Sequence, residues 1–239
     1  MIENQRTLIV GGTRGTGLLI ARMLEQRHAS VRALARDPAH ARAALGPGVE
    51  VFEGDITKQE TLLPAIRGTT HIIFTAGCRS GYPASESRIK ATEFEGVLNT
   101  LATARLAGCA GRFMYMTSSG VATHSLLSAG LNLYKGNTLR WRLRAEDAIR
   151  GSGLEYTIIR TGMLVNSPSG RRAIRLTQET LPLSIRYRIA RADVAEVFVT
   201  AMEHPRASRS TFEVVWAHGR QPLEPWRELL SNLRSDAES

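Results

Sequence analysis

One stretch near the start constrains this chain most. A short apolar run, Thr7–Val10, leads into Gly11-Gly12-Thr13-Arg14-Gly15-Thr16-Gly17, and an apolar pattern of helical period follows in Leu18, Leu19, Ala21, Met23 and Leu24. A strand that turns at once into a helix needs glycine at the bend, because only glycine lets the backbone fold back sharply and lie close to a ligand. The free N–H groups at the helix start, reinforced by the helix dipole, then face whatever fills the turn and favour negative charge there. The spacing is G-x-x-x-G-x-G, not the G-x-x-x-x-G-K-[ST] of P-loop enzymes. Nucleotide hydrolysis is therefore disfavoured, and binding of a dinucleotide pyrophosphate is favoured.

The rest of the chain supports this reading. Strand-like runs at Thr7–Val10, Val31–Ala35, Val49–Phe52, His71–Thr75, Phe113–Thr117, Tyr156–Arg160 and Phe212–Val215 alternate with helical patterns at Gly15–Arg27, Pro38–Leu45, Gln59–Ile66, Ile89–Ala107 and Leu139–Arg150. Such alternation predicts an α/β fold, a Rossmann-like doubly wound parallel sheet with helices on both faces. Ligands of such sheets bind beyond the carboxyl ends of the strands. No repeat or linker divides the chain, so residues 1–239 read as a single domain. Residues 1–160 form its cofactor-binding core, and 161–239 a small C-terminal substrate lobe expected to lie over the sheet, with a tail. In the lobe, a polar loop from Asn166 to Gly170, an Arg-rich segment and a short helix capped by Asp193 precede the last strand. The tail after Arg234 is polar and is expected to fray.

Composition removes several classes. With 43% apolar and 22% charged residues, collagen-like and disordered chains are excluded. Cys78 and Cys109 form no C-x-x-C pattern, so neither a disulfide framework nor a zinc site is indicated, and a reducing, cytoplasmic compartment is expected. The six histidines are scattered without metal-ligand spacing, so no metal is expected. No signal peptide is recognised, and no apolar run nears the ~20 residues of a membrane span. The unusual quantity is charge: 31 basic against 22 acidic residues give +9, and all the basic residues except Lys58, Lys90 and Lys135 are arginine. Clusters at Arg140/Arg142/Arg144, Arg171/Arg172/Arg175 and Arg186/Arg188/Arg191 raise the question of nucleic acid. No aromatic interleaving or recognition motif accompanies them, so nucleic acid is disfavoured as a partner. The partner expected is a small-molecule substrate, with the chain acting as a monomer or homodimer.

Several motifs in order carry a family resemblance: V-G-G-T-R-G-T-G at the loop, V-R-A-L-A-R-D-P at the second strand, E-G-D-I after the third and M-T-S-S-G after the fifth. R-A-E-D-A-I-R-G-S-G-L-E-Y-T-I-I-R and R-A-D-V-A follow. Over roughly residues 6 to 215 the chain resembles the atypical short-chain dehydrogenase/reductases, specifically the NmrA-like, NAD(P)H-binding group. The resemblance implies that Gly11, Thr13, Arg14, Gly15, Thr16 and Gly17 cradle the cofactor. It also implies that Asp55 and Ile56 lie at the adenine, and that Thr75, Ala76 and Gly77 bring backbone close to the adjoining ribose. Asp55 can equally be read as a cap before Thr57, and Gly77 as turn chemistry. Charge points to NADP(H): NAD sites carry a carboxylate at the end of the second strand, whereas this chain has Arg36 there, with Arg14 in the loop to share a 2′-phosphate. Asp37, followed by Pro38, reads as a turn or helix-cap residue.

The catalytic end departs from the pattern. Relatives with the fullest machinery use a Ser at the end of the fifth strand and a Tyr with a Lys four residues later. Ser118 and Ser119 stand at the first position, and Tyr134 follows Ser119 by 15 residues. Four residues beyond Tyr134, however, is Thr138. Lys135 is adjacent to Tyr134, and on one helix it would point about 100° away. In an alternative register Arg142, four residues before Glu146, stands where NmrA-like members often carry Lys. An Arg142–Glu146 i,i+4 ion pair is the plain structural reading. R-T-G from Arg160 to Gly162 replaces the common R-P-G. The expected activity is NADPH-dependent hydride transfer to a conjugated acceptor such as a quinone or flavin, whose reduction spreads charge and needs no strong acid. The alternative is a non-catalytic NADP(H)-binding sensor or regulatory protein.

Overall fold

The apolar runs fold as strands and the periodic segments as helices in the computed structural model of the chain, which describes residues 5–78, 84–123, 125–219 and 223–238. In order these are β1 (Arg6–Val10), α1 (Gly15–Gln26), β2 (Ser30–Ala35), α2 (Pro38–Leu45), β3 (Val49–Glu53), α3 (Leu63–Ile66), β4 (His71–Phe74), α4 (Glu86–Lys90) and α5 (Gly96–Leu106). The second part adds β5 (Arg112–Ser118), α6 (Leu126–Tyr134), α7 (Thr138–Arg150), β6 (Glu155–Thr161), β7 (Met163–Val165), β8 (Ile174–Thr177), β9 (Arg188–Ala190), α8 (Arg191–Glu203), β10 (Ser210–Trp216) and α9 (Trp226–Ser231). Between α4 and α5, Ala91–Glu95 forms a π-helical turn.

The main sheet runs β3-β2-β1-β4-β5-β6-β10-β8. Every pairing is parallel except β8 on β10. Because strand side chains alternate in direction, neighbouring residues feed opposite cores. Ile9, Ile73, Met114 and Ile159 pack with Ile20, Leu24 and Phe198 of α1 and α8. Leu8, Ile72, Phe113, Tyr115 and Ile158 pack with Ile66, Val97, Leu101 and Ile149 of α3, α5 and α7. Burying each such aliphatic or aromatic side chain stabilises the fold by about 1.5–3 kcal/mol. This is the doubly wound, Rossmann-like architecture expected. Strand order reverses between β1 and β4, so the ends of those two strands open the crevice where ligands of such sheets bind.

The second part of the chain departs from expectation in three ways. Residues after Arg160 do not all lie over the sheet: β10 and β8 extend it, α8 covers it beside α1, and only β7 and β9 pair apart as a two-stranded sheet. The helix expected to be short and capped by Asp193 is α8, 13 residues long with Ala190 at its N-cap. Asp193 lies inside the first turn, where its carboxylate accepts from Gly170 N at 2.9 Å and Trp216 Nε1 at 2.9 Å. The tail is held rather than frayed. Asp236 accepts from Thr211 N and Oγ1, both at 2.7 Å, and from the Tyr156 hydroxyl at 3.0 Å, and it lies 3.5 Å from Arg150 Nε. Polarity alone did not distinguish a free carboxylate from one that closes a network.

Asp236→Ala leaves those donors without their partner, so it should destabilise the protein by about 1–3 kcal/mol. Urea denaturation checks this, and a variant as stable as wild type would mean that the tail contributes nothing.

Candidate functional site

The site is built where β1 and β4 end side by side. Gly11 adopts φ +92°, and a Cβ there would stand 2.6 Å from Ala76 N; one on Gly17 would stand 2.3 Å from Gly11 O and 2.5 Å from Thr75 Oγ1. Thr75 draws the two strand ends together, its N–H donating to Val10 O at 2.8 Å and its hydroxyl lying 3.2 Å from Val10 O and 3.3 Å from Gly11 O. Helix α1 starts behind Arg14 with no side-chain cap and no acidic residue in its first turn. Thr16 Oγ1 is buried there without a partner. Uncapped amides, an orphaned hydroxyl and a backbone cradle with no room for a Cβ together fit a nucleotide diphosphate. Thr13 and Arg14 lie on the same loop, with Arg14 exposed.

At the end of β2, Arg36 is exposed and near enough to the Asp55 carboxylate to draw its pKa down electrostatically. Asp55 also caps locally, accepting from Thr57 N and Oγ1, each at 2.9 Å. Burial works against ionisation, and the Thr57 bonds, Arg36 and Lys58 outweigh it, so the carboxyl titrates below its ordinary value. Asp37 is a cap, accepting from His40 N at 3.0 Å. Ile56 packs on α5, where a Cβ on Gly96 would meet its Cδ1 at 2.8 Å, and its carbonyl accepts from Asn99 Nδ2 at 2.8 Å.

The candidate catalytic end centres on a carboxylate that sequence reasoning missed. Glu93 sits in the π turn, whose extra residue rotates it inward to 1% exposure. Arg142 of α7 grips it twice, Nε to Oε2 at 3.0 Å and Nη2 to Oε1 at 3.1 Å. Thr138 Oγ1 also donates to Glu93, and Cys78 N donates to its Oε1 at 3.0 Å. Burial opposes the charge, but Arg142, Thr138 and Lys135 hold the Glu93 carboxyl below its usual range. The guanidinium is pressed against the tip of β4, 2.8 Å from where a Cβ on Gly77 would stand. The Arg142–Glu146 pairing expected from i,i+4 spacing does not form. Glu146 pairs with Arg160 at 2.7 Å and Arg150 at 3.0 Å instead. Spacing gives reach along one helix; it cannot show that the π turn and β6 offer better-placed partners.

Lys135 was set aside on the premise that a helix runs through it. In the structure α6 stops at Tyr134, Lys135 is its C-cap, and Asn137 in the left-handed region starts α7 afresh. Lys135 turns inward to 9% exposure, and its Nζ donates to Cys78 O at 3.2 Å. Burial and the nearby Arg142 guanidinium push its pKa below the ordinary lysine value, against the pull of Glu93. Tyr134 is instead 54% exposed. The two candidate serines differ in surroundings, Ser118 ending β5 and Ser119 opening the turn after it. Ser118 is partly exposed, its hydroxyl donating to Ser119 O at 3.0 Å. Ser119 is buried beside Glu213, whose carboxyl is raised above its usual pKa by burial. The loop above it is closed by Gly120 N donating to Leu181 O at 3.0 Å.

A Rossmann sheet with a diphosphate cradle at its strand reversal defines a dinucleotide-binding protein. The chain belongs to the NAD(P)H-binding family, whose model matches residues 11–205. It is 30% identical to sanguinarine reductase of Eschscholzia californica, over 87% of this chain and 88% of that protein. It is 26% identical to the NAD(P)H azoreductase of Xenophilus azovorans, over 87% and 66% of the two chains. Among solved structures, the oxidoreductase ylbE from Lactococcus lactis superposes with a TM-score of 0.77 at 18% identity, over 96% of each chain, and so shares the fold.

Glu93→Gln should cost about 3–5 kcal/mol at neutral pH, because it leaves the Arg142 charge buried without its counterion. A lowered folded-state pKa means that the Glu93 contribution is complete above its ordinary value near 4.5 and is lost as pH falls through the lower folded value. Urea midpoints from pH 7 to 3 should therefore fall more steeply below pH 4.5 for wild type than for Glu93→Gln; parallel profiles would contradict this.

Proposed function

We propose that this protein is an NADPH-dependent reductase of a conjugated small-molecule acceptor. The observation carrying this reading is the absence of a phenol–lysine pair from the described catalytic end. Tyr134 is exposed, and Thr138, one turn before Arg142, has its hydroxyl committed to Glu93. NADPH, when bound, supplies the hydride. Arg36 and Arg14 would hold its 2′-phosphate with charge-assisted bonds. Arg142, fixed by Glu93 against Gly77, shapes the floor of the site. Lys135, on the Cys78 carbonyl and with a lowered pKa, is the group suited to hand a proton to the reduced acceptor, and Ser118 can polarise it by hydrogen bonding. A conjugated acceptor spreads the developing charge over several atoms, so it depends less on stabilisation at one oxygen than the localised alkoxide of a simple ketone does. The family relatives named for sanguinarine and for azo compounds support a reductase direction.

Two measurements test this. In titrations wild type should bind NADPH more tightly than NADH, and Arg36→Ala should remove most of that preference; equal wild-type affinities would exclude the NADP assignment. In steady-state assays quinones, flavins or azo dyes should be turned over and simple ketones should not. Lys135→Met should lower kcat by roughly 10²-fold with little change in NADPH affinity. Tight binding without turnover of any acceptor would favour a sensor of the cofactor instead.

A further inference from the structure

We propose that Arg191, the first residue of α8, belongs to the cofactor site. It would grip the diphosphate of the bound nucleotide and thereby tie the β7–β9 piece to cofactor occupancy. The proposal rests on the nucleotide reading of the glycine loop and adds a residue that the loop motif does not contain.

Three observations converge on it. First, α8 packs along α1 through one core cluster that includes Ile20, Leu24, Val194 and Phe198, and the two helices bring their first residues together. Arg191 Nε lies 3.8 Å from where a Cβ on Gly15 would stand. Second, the guanidinium is held by neutral oxygens, Nη1 donating to Asn166 Oδ1 at 2.8 Å and to Leu164 O at 3.4 Å. Asp193, the acid two residues along, is occupied by Gly170 N and Trp216 Nε1. The full charge of Arg191 is thus poised at the mouth of the cradle. Third, the cradle contains its own unmet demand for an acceptor, in the uncapped start of α1 and the buried, unpartnered Thr16 Oγ1. A diphosphate satisfies the helix amides, the hydroxyl and the guanidinium together. Glycine at 15, with φ +56°, puts no side chain of its own between the loop and Arg191.

Leu164 and Asn166 lie on β7 and just after it, outside the main sheet. The same side chain therefore stands beside the cradle and is bonded to the piece of chain that carries β7. Occupancy of the cradle would fix Arg191, and through it residues 163–170.

The test compares wild type, Arg191→Ala, Arg191→Lys, Arg191→Gln and Arg36→Ala by calorimetric titration of NADPH, NADH and 2′-AMP, which lacks the diphosphate. NADPH and NADH share the diphosphate, so Arg191→Ala should weaken both by about tenfold and leave 2′-AMP unchanged. Arg36→Ala should weaken NADPH and 2′-AMP and spare NADH. Arg191→Lys should stay within a few-fold of wild type, and Arg191→Gln should match Ala. If Ala fails to fold, the Lys and Gln pair makes the same comparison. Amide exchange should show residues 163–170 protected by NADPH in wild type but not in Arg191→Gln. Unchanged affinity in the Ala or Gln variant, a loss confined to NADPH, or equal weakening of 2′-AMP would overturn the proposal. A wild type that binds neither nucleotide would overturn the cofactor reading itself.

Discussion

Backbone contact between the ends of β1 and β4 governs the rest of the site. Gly11, Gly17 and Thr75 meet so closely that no Cβ fits at either glycine, and this closeness aims the first amides of α1 at one point beyond the sheet. The point coincides with the reversal of strand order, where no crossover helix covers the strand ends. Around that point stand Arg36 at the end of β2, the Glu93–Arg142 pair between the π turn and α7, and, on the other face, the start of α8. The glycines are thus less a motif than a steric condition that the surrounding elements satisfy.

Charge is the second theme. A surplus of nine positive charges suggested a basic surface, but the arginines fall into distinct groups. Arg32, Arg142 and Arg160 are buried or nearly so and face Glu50, Glu93 and Glu146. Arg144 and Arg172 lie over the rings of Trp141 and Trp216, at 4.8 and 4.7 Å, and Arg175 pairs with Glu179. The apparent cluster at 140, 142 and 144 is no patch, since Arg142 points into the protein. Arginine suits these places because a delocalised, bidentate cation tolerates partial burial better than an ammonium. Lys135 follows a different logic: it is buried close enough to Glu93 to feel its charge, but the carboxylate is gripped by Arg142 and the Lys135 ammonium donates to the Cys78 carbonyl instead.

Much of this was legible in the chain. Apolar runs located seven strands to within a residue or two, because a sheet buried on both faces demands continuous Val, Ile and Leu, whereas the short β7, β8 and β9 carry no run of that length and were missed. The loop was legible because its geometry admits only glycine. What was not legible depends on contacts between distant segments. Glu93 lies in a segment whose pattern reads as ordinary helix, and a π turn leaves no mark on apolar period. Helix α6 and the break at Gly136 were missed because Leu126–Tyr134 is apolar on its exposed side as well, with Leu126 and Leu133 almost wholly exposed. The misreading of Lys135 followed from that missed break, and those of Asp193 and Asp236 from local cues that tertiary partners override.

Sequence by itself determined the fold class, the phosphate loop and the family, since each rests on local conformational requirements: strand burial, a sharp turn and an uncapped helix start. Tertiary structure alone decided which charges meet. It paired Arg142 with Glu93 rather than Glu146, turned Lys135 inward and Tyr134 outward, pinned the tail through Asp236, and brought Arg191 to the glycine loop. Electrostatic partnership depends on distance and desolvation in three dimensions, and neither quantity is encoded in spacing along the chain.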